Sequence, residues 1–118
     1  MASYGFSTRL RLHQGREFQQ VYRSGRRMGN ELFSVNVCRN EQNVARLGLS
    51  IAVRTMGGAV ARNRLRRLIR EHFRLHQAEL PPLDVVIGAR PRAREASAAD
   101  VREGLDRLWK RIIAECAP

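Results

Sequence analysis

Residues 59–76 read AVARNRLRRLIREHFRLH and combine an apolar stripe with a dense set of arginines. On a helical wheel, one side repeats at the i, i+3, i+4, i+7 spacing of a buried stripe. Its members are Leu65, Leu68, Ile69, His72, Phe73 and His76. The opposite side carries Arg66, Arg67, Arg70 and Arg74, with Arg62 and Arg64 near its borders. The pattern predicts a helix that packs on a core with one face and exposes guanidinium groups on the other.

These arginines have few acidic neighbours. Glu71 is the only acid within the stretch, so i,i+4 ion pairs cannot neutralise the basic face. Like charges at this density repel one another unless a polyanion is near, and the planar guanidinium fork suits phosphate. A solvated charged face is the commoner explanation for an ordinary helix. The one-sided sign favours a nucleic-acid-binding helix here.

Length and charge limit the possibilities. The 118 residues predict one domain, 1–118, with a single modest core. The net charge of +11 lies entirely in residues 1–74, since residues 75–118 carry equal numbers of acidic and basic side chains. Such a local excess attracts polyanions and makes binding salt-dependent. A membrane-surface helix would need free apolar residues, and here they look committed to a core.

Targeting signals and cysteine pairs are not evident in the sequence. No apolar run approaches the roughly 20 residues that span a bilayer, and the first residues lack the hydrophobic segment of a secretory signal. Two cysteines, Cys38 and Cys116, are too few for a disulfide framework or a zinc site. We therefore expect a cytoplasmic protein with no membrane partner.

Toward the N-terminus, residues 1–12 are basic and predicted to be loosely ordered. A short helix is expected from about 15 to 24, with Phe18, Val21 and Tyr22 on one face. Gly25 stands where a helix C-terminal glycine is typical, and residues 26–29 are predicted to form a basic connecting segment.

Two alternating runs, 32–39 and 44–54, flank a turn at 40–43 and predict a β-hairpin. The predicted buried faces are Phe33, Val35 and Val37 in the first run, and Ala45, Leu47, Leu49, Ile51 and Val53 in the second. The other face of the second run is small or polar, with arginines at its ends. Small side chains leave room for a ligand to lie against the sheet.

The remaining elements complete an α/β layered sandwich. Gly57-Gly58 precedes the basic helix, where its amides could meet a phosphate or simply form a flexible turn. A buried strand is expected at 85–87. Ser97 and Asp100 form a capping-box pattern that opens the last helix. The apolar stripe of that helix is Val101, Leu105, Leu108, Trp109, Ile112 and Ile113.

Catalytic motifs are missing from the sequence. His72 and His76 have an i,i+4 metal spacing, but no Glu follows His72 as the zincin pattern requires. The acids are scattered or near arginines, and no phosphate loop or nucleophile motif occurs. We predict a binding protein with no catalytic residue, no metal bound by the protein alone and no small-molecule substrate.

The residues quoted above resemble the protein subunit of bacterial ribonuclease P. The resemblance begins with RLRLHQGREFQQVYRSG, continues through RLGLSIAV, is strongest in GGAVARNRLRRLIRE, and ends with VVIGARP. Two positions depart from the family pattern. Arg54-Thr55 stands where the family has a basic pair, and Gly58 stands where it usually has Asn.

The resemblance implies an α+β sandwich around a four-stranded sheet, in the order α-β-β-β-α-β-α. It also implies a left-handed βαβ crossover through the Arg-rich helix, against the general right-handed rule. The implied activity is removal of the 5′ leader from precursor tRNA, as part of an endoribonuclease holoenzyme. The expected partners are ribonuclease P RNA and precursor tRNA. The RNA subunit would hold most of the Mg²⁺ and perform the catalysis.

The resemblance also implies two sets of site residues. Contacts with the RNA subunit would come from Arg62, Asn63, Arg64, Arg66, Arg67 and Arg70. A groove for the single-stranded leader would be lined by Phe18, Tyr22, Ser50, Arg54, Arg9 and Arg11. Core packing is the alternative role for Phe18. The alternative functions are another RNA-binding module, of ribosomal-protein or RNA-chaperone type, and an autonomous nuclease.

Overall fold

The computed structural model describes residues 10–12 and 15–116. Its four helices are α1 (Arg16–Ser24), α2 (Val53–Met56), α3 (Ala59–His76) and α4 (Ala98–Cys116). Its four strands are β1 (Arg26–Gly29), β2 (Phe33–Arg39), β3 (Arg46–Ser50) and β4 (Leu83–Ala89). Short 3₁₀ turns follow α3 at Gln77–Glu79 and β4 at Pro91–Glu95. Every helix in this part of the chain is too short or too polar to span a bilayer.

The strands form one sheet in the order β1-β2-β4-β3. β1, β2 and β4 pair antiparallel, and β3 pairs parallel with β4. Parallel neighbours need a long crossover, which α3 provides. The predicted mixed fold with a four-stranded sheet is confirmed, and α2 is an extra turn of helix. The left hand of the crossover stays a prediction.

The predicted hairpin is wrong, because β4 lies between β2 and β3. Alternation in a sequence shows which face of a strand is buried but not which strand lies beside it. The β4 sequence LDVVIGA is buried from Leu83 to Ile87 on both faces, as expected of an inner strand. The second run also ends early. β3 stops at Ser50, and Val53 lies in α2 with 58% of its surface exposed.

Two N-terminal predictions also need correction. Residues 26–29 form the edge strand β1 rather than a connection. Residues 10–12 are tied to the sheet, since the Leu12 amide donates to the Leu47 carbonyl at 2.9 Å and both Leu10 and Leu12 are buried. The rest of the predicted loose segment, residues 1–9, lies outside the described residues.

The sheet separates two apolar clusters. The larger one lies under α3 and α4 and includes Val35, Val85 and Ile87 of the inner strands. The smaller one lies under α1 and joins Leu12, Val21 and Val86, with Phe18 and Cys38 packed against it. Successive residues of β4 therefore face opposite layers. In the described part of the chain, α1 and Leu12 pack on the face that carries the smaller cluster.

The predictions for α4 are confirmed. The Asp100 amide donates to Ser97 Oγ at 3.0 Å, and the Ser97 amide donates to Asp100 Oδ2 at 3.3 Å. This is the reciprocal capping box. The predicted stripe is buried from Val101 to Ile112, while Ile113 is partly exposed. Cys38 and Cys116 are both free thiols.

Candidate nucleic-acid interface

α3 has the two faces that its sequence predicts. Leu65, Ile69, His72 and Phe73 are buried against the core, with Leu68 and His76 partly buried beside them. On the outer side Asn63, Arg64, Arg67 and Arg70 are exposed, and Arg62, Arg66 and Arg74 are partly exposed. We call this side the outer face of α3. It continues from the N-terminal turn of the helix almost to its end.

The described residues offer few acidic partners to the outer face of α3. Within residues 10–12 and 15–116, only Arg74 among its arginines has an ion-pair partner, Glu71. Arg66 instead donates to the amide oxygen of Asn63 at 3.3 Å. Partial burial lowers the pKa of Arg70, and the nearby charges of Arg11 and Arg66 lower it further. Crowded cations with few internal partners form a surface that favours an anionic ligand.

A groove runs between α1, β3 and α3. It consists of two adjoining cavities, of about 390 and 310 Å³, which share Phe18, Leu49 and Arg66. The first cavity is lined mainly by α1 and the end of β3, including Gln19, Tyr22 and Ser50. The second includes Arg11, Gly48, Asn63 and Arg70. We call the whole depression the α1–α3 groove.

The walls of the α1–α3 groove differ in chemistry. The α1 wall carries two aromatic rings, and Tyr22 has 49% of its surface exposed. Phe18 is partly buried and packs on the smaller core cluster, so it serves both the core and the groove. Its ring lies directly over Gly48, where a Cβ atom would come within 2.6 Å of Phe18 Cζ. The α3 wall is cationic, with Arg66 and Arg70 facing the groove.

Comparison with known proteins shows the family to which the chain belongs. The sequence model of the Ribonuclease P family matches residues 6–113. The chain belongs to the ribonuclease P protein family. The ribonuclease P protein component of Thioalkalivibrio sulfidiphilus is 37% identical over 113 residues, which are 96% of this chain and 94% of that protein. That of Aliivibrio fischeri is 36% identical, over 93% of this chain and 94% of the relative.

Solved structures of ribonuclease P proteins share the fold. The Staphylococcus aureus RNase P protein superimposes with a TM-score of 0.82 at 31% identity, covering 90% of this chain and 95% of that one. The Thermotoga maritima protein gives a TM-score of 0.79 at 34% identity, covering 86% and 96%. The chain is thus an RNA-binding component of a tRNA-processing ribonuclease, with ribonuclease P RNA as its partner. A ribosomal-type protein or RNA chaperone is not favoured.

Most of the groove residues expected for a ribonuclease P protein lie together. Phe18, Tyr22, Ser50 and Arg11 all line the α1–α3 groove. Arg54 does not, because the chain leaves the sheet after Ser50 and places Arg54, exposed, in α2. The prediction that Arg54 lies on the strand is therefore wrong. Arg9 lies outside the described residues.

The α1–α3 groove is also lined by residues that were not expected there. Arg66, Arg70 and Asn63 were expected only at the RNA subunit, yet all three line the groove as well. Gln19 was missed, although Gly15, Phe18, Gln19 and Tyr22 share one helical face at i, i+3, i+4, i+7 spacing. That face could have been identified from the sequence. Gly58, the N-cap residue of α3, has open space around its Cβ position.

A second polar cluster lies on the core side of α3. The indole N–H of Trp109 donates to His72 Nδ1 at 2.7 Å, and His72 Nε2 lies 3.2 Å from Asp106 Oδ1. His76 Nδ1 lies 2.8 Å from the carbonyl oxygen of His72, and its Nε2 is 3.8 Å from Asp106. Burial lowers the pKa of His72, as does the neighbouring His76. The neutral form of His72 is therefore favoured.

This cluster of His72, His76 and Asp106 has the spacing of a metal site, with ligand atoms within 4.8 Å of one another. The tautomer of His72 argues against that role. Because Nδ1 accepts the Trp109 proton, Nε2 must carry the hydrogen, which it can donate to Asp106. A metal-binding Nε2 would require a hydrogen on Nδ1, facing the indole N–H. We interpret the cluster as a hydrogen-bonded tie between α3 and α4.

Proposed function

We propose that the outer face of α3 binds ribonuclease P RNA and that the α1–α3 groove holds the single-stranded 5′ leader of precursor tRNA, in the cytoplasm. The observation that carries the proposal is the pairing of an aromatic wall with a cationic wall across one groove. Single-stranded RNA presents bases for stacking and phosphates for ion pairing along the same strand. A groove with these two walls complements both groups at once.

Leader sequences differ between precursors, so the groove must tolerate any base. Stacking on an aromatic ring contributes about 1–3 kcal/mol per base and is largely independent of sequence. Tyr22 is exposed enough to offer its ring to a base, while Phe18 is partly held by the core. Tyr22 is therefore the stronger candidate for stacking.

The proposal leaves the Mg²⁺-dependent chemistry to the RNA subunit. Arginine side chains can only donate hydrogen bonds, and they make up most of the outer face of α3. Two acids beside the interface already contact arginines, Glu71 with Arg74 and Glu17 with Arg46. Mg²⁺ prefers oxygen ligands, which phosphates of the RNA would supply. The protein would then hold RNA strands in place without supplying a catalytic side chain.

Reconstitution of the holoenzyme tests whether the RNA subunit performs the cleavage with assistance from the protein. Cleavage of precursor tRNA would be assayed at low Mg²⁺ with the chain alone, with a bacterial ribonuclease P RNA alone, and with both. We expect no cleavage by the chain alone and a reduced Mg²⁺ requirement for the RNA when the chain is added. Cleavage by the protein alone would instead support an autonomous nuclease. No effect on the RNA would contradict the proposal.

Single substitutions separate the two surfaces. Arg67 is exposed on the outer face of α3 and does not line the groove, so Arg67→Ala should weaken binding of the RNA subunit. The log–log salt slope of that binding should fall by about 0.7–0.9 for each phosphate that the variant no longer neutralises. Tyr22→Ala should spare RNA-subunit binding and reduce the preference for leader-bearing precursor over mature tRNA.

Arg111→Ala is the matched control, because Arg111 lies on α4 in an ion pair with Glu115. It removes the same charge from a different surface and should change neither property. If Tyr22→Ala weakens RNA-subunit binding as much as leader recognition, the groove assignment is wrong. Measurements at several salt concentrations distinguish the removal of a phosphate ion pair from a general decrease in charge.

A further inference from the structure

Arg46 joins three elements beside the α1–α3 groove. From β3, its Nε and Nη2 atoms donate to the two carboxylate oxygens of Asp84 on β4, both at 2.8 Å. Its Nη1 atom donates to Glu17 of α1 at 2.9 Å. Asn40 adds a fourth hydrogen bond, from Nδ2 to Asp84 Oδ1 at 2.7 Å. The three guanidinium nitrogens of Arg46 are therefore all engaged by carboxylates of this chain.

The Arg46–Glu17 bond reaches α1 at the turn that carries Phe18. The side chain of Arg46 is 15% exposed and that of Glu17 is 33% exposed, so water partly shields the pair. The other end of α1 is held by the chain itself, because Gly25 leads directly into β1 at Arg26. At the N-terminal end, the cap residue Gly15 provides no side-chain hydrogen bond. Glu17 is thus a main polar attachment of that end to the sheet.

We propose that Arg46 and Glu17 are positioning residues that hold α1 over the sheet and so set the width of the α1–α3 groove. Arg46 then acts on the leader through Glu17 and Phe18, and not as a phosphate contact. The inference rests on the proposed function, since it concerns the same groove. It assigns a structural purpose to an arginine that composition alone would count among the RNA-binding cations.

Glu17 could affect leader binding in two ways, through its negative charge or by holding α1 on the sheet. If Glu17 affected the leader through its charge alone, its removal would release one guanidinium nitrogen of Arg46 and delete a negative charge near the phosphates. Leader binding would then become tighter. If Glu17 instead holds α1 in place, its removal loosens the wall that carries Phe18 and Tyr22, and leader binding becomes weaker. The two roles predict changes of opposite sign.

The experiment compares Glu17→Ala with Glu17→Gln in the reconstituted holoenzyme. Both variants remove the charge, but Gln keeps an oxygen that can accept the Arg46 hydrogen bond. We expect Glu17→Ala to reduce the preference for leader-bearing over mature tRNA by about three- to tenfold, less than the complete loss of a stacked base or two. Glu17→Gln should restore most of that preference, and affinity for the RNA subunit should stay unchanged in both.

Hydrogen exchange in the free protein provides a readout that does not depend on RNA. Amides of α1 should exchange faster in Glu17→Ala than in the parent chain, while those of α3 should not change. Glu103→Ala on α4 is the charge-matched control and should alter neither leader preference nor α1 exchange. Arg46→Ala is unsuitable, because it would leave the buried Asp84 carboxylate without its bidentate partner.

The results separate the positioning role of Glu17 from the proposed leader-binding role of the groove. Equal tightening of leader binding by both Glu17 variants, with unchanged α1 exchange, would overturn the positioning role and leave the proposed function intact. Loss of leader preference in Tyr22→Ala with none in Glu17→Ala would do the same. If Tyr22→Ala has no effect on leader preference, the proposed groove itself fails, whereas faster α1 exchange in Glu17→Ala would still support the attachment of α1 by Arg46.

Discussion

Gly25 shows how a single residue can be predicted correctly for the wrong physical reason. The sequence pattern predicts a helix C-terminal glycine at this position, where a left-handed backbone is common, but the φ of Gly25 is −86° and its backbone is extended. The reason for glycine is instead the lack of space. A Cβ atom would lie 2.2 Å from the Val21 carbonyl oxygen and 2.6 Å from that of Val37. The second carbonyl belongs to β2, which no local pattern around Gly25 could reveal.

Gly25→Ala should therefore lower the free energy of unfolding by about 2–3 kcal/mol, because two backbone groups would have to move. Gly58→Ala is the control, since its Cβ would meet nothing within 4 Å and its φ of −70° suits any residue. Its effect should be smaller, at most about 1 kcal/mol, because alanine is a poorer helix N-cap than glycine. Urea denaturation of both variants checks this. Equal midpoints would contradict the close approach at Gly25.

At the scale of elements, the sequence was informative wherever one helix or strand meets a continuous core. The stripes of α3 and α4 and the buried face of β2 follow directly from spacing, because one face of each is covered along its length. The order of strands did not follow, since insertion of β4 between β2 and β3 depends on contacts distant in sequence. Arg54 was misplaced for a related reason. Apolar and polar residues still alternate in the sequence after Ser50, although the chain leaves the sheet at that residue.

The tie between α3 and α4 should make stability depend on pH. The pKa of His72 is lowered below its ordinary 6.5, chiefly by burial, with further lowering from His76 and Arg102 and partial opposition from Asp106. Below pH 6.5 the unfolded chain binds a proton that the folded chain binds less readily, so stability falls as pH decreases through this range. Above it, the contribution of neutral His72 is fully present.

His72→Gln tests this origin, because Gln can still accept the Trp109 hydrogen bond but does not titrate. The melting temperature of the parent chain should drop as the pH is lowered from 6.5 toward the lowered pKa of folded His72, and the drop should be smaller in the variant. The carboxyl groups of Glu31, Glu71 and Glu115 contribute little there, since their pKa values are lowered from 4.5. An equal drop in both proteins would place the pH dependence elsewhere.

Across the whole molecule, charge is arranged in two ways. Near α4, arginines pair with acids, as in Arg26–Glu115, Arg107–Glu31 and Arg111–Glu115. Arg107 holds the pKa of the Glu31 carboxyl below its ordinary value, and Arg111 does the same for Glu115. On the outer face of α3, by contrast, Arg70 lies near Arg11 and Arg66, and their charges lower its pKa. The side near α4 is thus electrostatically balanced, while the outer face of α3 keeps an excess of positive charge that suits the proposed contact with RNA.

This asymmetry predicts that Arg70 opposes folding of the free protein while it favours RNA binding. Arg70→Gln keeps part of the aliphatic stem and removes a cation that is partly desolvated and repelled by its neighbours. Its melting temperature at low salt should exceed that of the parent chain, and the difference should shrink as salt screens the repulsion. Affinity for ribonuclease P RNA should fall in the same variant, with a shallower salt dependence. Arg111→Gln provides the comparison, because it breaks an ion pair with Glu115 and should raise neither quantity. A lower melting temperature for Arg70→Gln at low salt would show that Arg70 stabilises the free fold, and the opposition between folding and RNA binding would not hold.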